Sequence, residues 1–136
     1  MTTTHARSTF EVKSWDEHTL SEVDGRAKIT RASVVFAYHG DLEGEGSVEY
    51  LMTYGENGSA AVIAMERVTG SLAGKTGTFV LQHQGGYADG TARGAFTIVE
   101  GSGTGALASV HGSGVAVSQH EGPMTFELDY DLDGTV

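Results

Sequence analysis

The chain has no cysteine among its 136 residues. That excludes a disulfide framework and any thiolate metal site, so a metal would need His and carboxylate ligands. Proline occurs once. Disordered low-complexity segments usually raise proline and glycine together, and they are excluded on that ground. No stretch approaches the ~20 apolar residues of a membrane-spanning helix. The opening Met1-Thr2-Thr3-Thr4-His5-Ala6-Arg7 has no apolar run of the secretory kind. A cytoplasmic protein with no membrane partner is the expectation. Positive charge is scarce too, with 8 Lys and Arg against 18 Asp and Glu, a net charge of -10. Such a surface repels phosphate backbones, so no nucleic-acid partner is expected. Its plain use is solubility.

Glycine is abundant instead, with 20 residues. The glycines punctuate alternating apolar stretches, the pattern of an all-β chain with many turns. Thr9 to Trp15 alternates with period two and reads as a first strand. Asp16 to Ala27 is polar and aperiodic, and reads as a loop. Further strands are expected at Lys28–His39, Gly46–Tyr54, Ala60–Thr69, Gly77–Gln84, Thr91–Glu100, Ser113–Gln119 and Met124–Tyr130. Ala106 to Val110 reads as a short connector, and no helix of ordinary length fits. About eight strands joined by short turns over residues 1–136 predict one domain: a mostly antiparallel up-and-down β-barrel. A two-sheet sandwich is the rival.

Hairpin turns fix register, so they also say which residues share a face. Centring a two-residue turn on Asn57-Gly58 pairs Leu51 with Ala64 and sets Glu49 opposite Glu66. Centring the next turn on Ala73-Gly74 sets Val68 opposite Phe79, Glu66 opposite Leu81 and Ala64 opposite His83. One face then holds Leu51, Ala64, Phe79 and Leu81, with Glu49, Glu66 and His83 among them. Two opposed carboxylates in a poorly solvated place cannot both ionise cheaply, so one should hold a proton. With an imidazole beside them they form an acid–base set. The other face, with Val48, Tyr50, Met52, Tyr54, Ile63, Met65 and Val80, is at least as apolar. Periodicity alone does not decide which face lines the interior.

The segments "TFEVKSWDE", "GDLEGEGSVEYLMTY", "ERVTGSLAGKTGTFVLQHQG" and "GSGTGALASVHGSG" together resemble a bacterial family of unknown function. That family is similar to the allene oxide cyclase barrel group, small eight-stranded barrels that usually self-associate. The resemblance covers nearly the whole chain. It implies a lumen able to hold an apolar ligand, and it favours the lumen for Glu66 and His83. It supplies no catalytic set.

The expected function is a cofactor-independent isomerase or cyclase acting on a small apolar molecule in the lumen. Glu49, Glu66 and His83 would be catalytic, and Leu51, Ala64, Phe79 and Leu81 would bind substrate. The alternatives are a non-catalytic carrier of a hydrophobic ligand and an interaction module whose barrel is filled by its own side chains. An open lumen above ~300 Å³ separates the first two from the third. No metal site is expected, because no two histidines have the i, i+2 spacing that puts ligands on one strand face. Asp129-Tyr130-Asp131-Leu132-Asp133-Gly134 matches the opening of a calcium loop, but the chain ends before the bidentate Glu. If Tyr50, Met52, Tyr54, Ile63 and Met65 stand on the outer face, that patch predicts a homo-oligomer.

Overall fold

The computed structural model describes residues 3–23, 26–55, 58–119 and 124–132. Eight strands follow one another: β1 Thr4–Val23, β2 Arg26–Gly40, β3 Leu42–Tyr54, β4 Ala60–Leu72, β5 Lys75–Ala88, β6 Thr91–Ile98, β7 His111–Gln119 and β8 Met124–Asp131. Each runs antiparallel to its sequence neighbours, and β8 pairs back onto β1. The sheet closes in strand order, which is the expected up-and-down barrel and excludes the sandwich.

Two tight turns show why the meander forms. Ala73 and Gly74 have φ of 50° and 84° between the paired Leu72 and Lys75. Asp89 and Gly90 have φ of 52° and 79° between Ala88 and Thr91. Positive φ at both central residues matches the turn to the right-handed twist of the strands.

Of residues 16–27, read from the sequence as loop, 16–23 and 26–27 are strand, and 24–25 lie outside the described residues. Beyond Thr9, β1 leaves β8 and pairs with β2 alone, with register shifts after Val12, Thr19 and Ser21. Here β1 carries exposed Leu20 and Val23 and has no buried residue. Without one-sided burial there is no period-two signal to read.

The β3–β4 register also differs from the expectation. Glu56 and Asn57 lie outside the described residues, but the flanking ladder fixes the pairing. Tyr54 faces Ala60, and the Gly55 N–H donates to the Ser59 carbonyl at 2.9 Å. The strands are offset by one residue from the Asn57-Gly58 alignment. Since side chains alternate, a slip of one turns every β3 side chain to the other face. Glu49 therefore faces Met65, and Glu66 faces Val48.

One end of the barrel is closed. After β6 the chain still runs beside β5: Thr104 N–H donates to the Thr78 carbonyl at 2.9 Å, and Val80 N–H to Ser102 Oγ at 3.0 Å. A short 3₁₀ turn, Gly105–Leu107, follows. Leu107 and Val110 are buried with Leu42 and Leu72 in the core at this end. Burying each such side chain contributes ~1.5–3 kcal/mol. The hairpin ends of β3–β4 and β5–β6 surround the opposite, open end.

Candidate functional site

The open end leads into a cavity of about 440 Å³ inside the barrel. Sequence makes this space. One cross-strand row runs Val62, Gly85, Gly94, Ala116, Phe126 from β4 to β8. Its middle positions have little or no side chain, so the barrel is not filled there. The next row toward the closed end, Ala64, His83, Phe96, Gly114, Leu128, brings large side chains back, and of these His83 reaches the cavity at its floor.

Glu66, one row deeper on β4, lines the cavity beside His83. Glu66 is fully buried, and His83 retains 8 % of its surface. His83 Nε2 lies 2.7 Å from Glu66 Oε1. Tyr38, inward-facing on β2, donates its hydroxyl to Glu66 Oε2 at 2.5 Å. Both carboxylate oxygens are thus satisfied, which a buried charge requires. Burial, and then the charge of Glu66, hold the Tyr38 phenol well above its ordinary range, so it stays a donor. Burial likewise raises Tyr50 on the cavity wall, with the Glu66 charge adding to it.

Room for the carboxylate comes from Gly46. A Cβ built there would stand 1.8 Å from Glu66 Oε2 and 3.0 Å from Tyr38 Cε2. Only glycine leaves that volume empty.

The hydrogen bonds also orient the imidazole. An ionised Glu66 only accepts, and against it Nε2 of His83 is the donor. Nδ1 has no partner among the described residues. No sealed-off side-chain nitrogen or oxygen there lacks one, so Nδ1 is reached from the cavity. In the neutral ring this atom is an acceptor and a base.

The other candidates from sequence stand elsewhere. Glu49 is on the outer face, accepting from Arg31 Nε at 2.9 Å and Ser33 Oγ at 3.0 Å. Those bonds, Ser33 first and then Arg31, hold its carboxyl below the usual range. It does not oppose Glu66, and the expected carboxylate pair does not form. Leu51 is also outward, 44 % exposed, for the same one-residue reason. Ala64, Phe79 and Leu81 do point inward and are buried, but in the core outside the cavity lining. Among the described residues no group of His and carboxylates is arranged to hold a metal. Asp133 and Gly134 of the calcium-loop pattern lie outside them; Asp129 of that pattern bonds to His5 at 2.7 Å.

Tyr38, Gly46 and Tyr50 were missed as site residues. The alternation Val34, Phe36, Tyr38 in β2 was the available signal, since it sends Tyr38 inward with its neighbours. At the mouth Trp15 stacks on Tyr50, centroids 5.9 Å apart. There Glu17 accepts from Tyr54 at 2.6 Å, Thr30 at 2.7 Å and Trp15 at 3.0 Å. Burial pushes Glu17 up, and these three bonds more than offset it, leaving its carboxyl below the ordinary range.

A family model described as "Protein of unknown function (DUF3224)" matches residues 6–130. The chain belongs to the DUF3224 family. A crystal structure of a DUF3224 protein with unknown function from Shewanella oneidensis MR-1 is similar to this chain, with a TM-score of 0.79 and 29% identity. The similarity covers 96% of this chain and 97% of that one. No curated protein matches. For DUF3224 these comparisons support the barrel along nearly the whole chain. The likeness to the allene oxide cyclase group stays an expectation. No helix among the described residues is long and apolar enough to cross a membrane.

Proposed function

We propose that the barrel takes up a small, largely apolar molecule and holds its polar group at the Nδ1 of His83. The observation that carries this reading is the Tyr38–Glu66–His83 chain, fully hydrogen-bonded at the floor of an open, mainly apolar cavity. A cavity of about 440 Å³ is in the range of small-molecule sites, which are apolar with a few placed polar groups. It exceeds the ~300 Å³ that divides a receptacle from a self-filled barrel. The test is native mass spectrometry of freshly purified protein. A bound mass above that of the bare chain is expected, released by organic extraction and absent from Gly94→Leu. Gly94 suits this because its added side chain enters open space, a built Cβ meeting only the Gln84 carbonyl at 3.9 Å. Bare chain alone in both proteins would count against the reading.

The second reading is a cofactor-independent isomerase or cyclase. It is favoured by the Glu66–His83 dyad, which fixes the tautomer of a cavity-facing base as a general base requires. Glu66 is sealed off and acts through His83, so the roles differ from those of a carboxylate pair. Proton transfer predicts deuterium uptake into the co-purified molecule in D₂O with wild type and none with His83→Gln. Equal uptake with both would leave only binding.

A further inference from the structure

We propose that the molecule held in this cavity is flat: a fused-ring or similarly planar, conjugated compound bearing one hydroxyl or comparable hydrogen-bond donor. This rests on the binding reading above and names its ligand class. The two walls of the cavity are chemically different. On the β1–β3 side the wall is aromatic. Phe10 meets Phe36 edge-on with centroids 5.0 Å apart, and Phe36 meets Tyr50 edge-on at 6.4 Å. Tyr50 in turn stacks with Trp15 at an interplanar angle of 28°. In the closed order β1 to β8, β6 stands across the barrel from β2. At mid-depth that opposite wall is Gly85, Gly94 and Ala116, almost bare backbone, with Tyr87 and Ser118 nearer the mouth.

Aromatic side chains facing bare peptide groups leave a slot rather than a round tube. The aromatic side offers stacking and edge contacts to a π-face. Glycines let a flat face approach the backbone closely. A flexible alkyl chain would make no stacking contact and would lose rotamer entropy on entry. At the floor, Nδ1 of a neutral His83 offers an acceptor. The Tyr50 hydroxyl, which has no hydrogen bond among the described residues, also lines the cavity. A guest with one donor is thereby anchored.

Isothermal titration of the wild type with 2-naphthol and with decahydro-2-naphthol compares a planar guest with a puckered one, and Tyr50→Leu separates stacking from the stronger donor of the phenol. The two share a carbon skeleton and a hydroxyl, and only the first is planar. One site is expected for 2-naphthol, about tenfold tighter than for the saturated analogue. Tyr50→Leu should erase most of that preference, and Gly94→Leu should lose both ligands. Equal or tighter binding of decahydro-2-naphthol overturns the planar class while the cavity still binds. Binding of neither overturns this inference and the binding reading together. The wild-type comparison can overturn the planar class without relying on either variant to fold.

Discussion

Glu66 shows how a charged residue is kept in a core. Its two oxygens have two donors, and Gly46 yields the space the carboxyl occupies. Gly46→Ala should therefore force Glu66 or Tyr38 aside and destabilise the protein by about 1–3 kcal/mol. A thermal melt would show this as a Tm lower by several degrees, and an unchanged Tm would contradict the packing. Glu66→Leu should be destabilising although it removes no volume, because Tyr38 and His83 are left unpaired at about 1–3 kcal/mol each. Tyr50 gives a pH dependence. Its folded pKa is raised by burial, so the neutral phenol favours the folded state. That contribution is complete below the unfolded value of about 10 and fades as pH climbs through the folded value. Urea midpoints should fall above pH 10 in wild type and fall less steeply in Tyr50→Phe. Parallel curves would place the phenol in water.

At the scale of elements, what the sequence revealed followed the turns. Ala73-Gly74 is a two-residue turn, so counting outward correctly put Glu66 opposite Leu81 and Ala64 opposite His83. The same counting failed one hairpin earlier, because Tyr54 pairs with Ala60 and not in the Asn57-Gly58 alignment. A pattern with both faces apolar could not flag the slip, and it cost Glu49 and Leu51 as site residues. The far half of β1 was illegible for another reason, since beyond Thr9 it has no buried residue to set a period. The seam that closes the barrel carries its own prediction. Hydrogen bonding to Asp129, opposed by desolvation and helped by Glu127, raises the His5 imidazole above its ordinary 6.5. A raised group stabilises fully below the unfolded pKa and loses its contribution as pH rises through the folded one. Amide protection factors over Thr4–Thr9 should therefore be higher near pH 5.5 than near pH 8.5, and His5→Ala should remove the difference. Protection that does not change with pH would show that His5 adds nothing to the seam.

For the whole molecule, closure decides what each face does. Tyr50, Met52 and Tyr54 line the cavity, while Ile63 and Met65 are more than half exposed on the outside. The single apolar face on which self-association was expected is thus divided between interior and exterior. The residues taken inside build the aromatic wall instead. The barrel is closed at one end by Leu107 and Val110, open at the other, and floored by a histidine whose orientation a buried carboxylate sets. Imidazole ¹⁵N NMR of His83, before and after addition of 2-naphthol, tests that account most directly. It predicts a proton on Nε2 and an unprotonated Nδ1 in the free protein, with the Nδ1 resonance moving on binding and Nε2 staying bonded to Glu66. A proton found on Nδ1 of the neutral ring, or an Nδ1 signal unmoved by a bound guest, would contradict it.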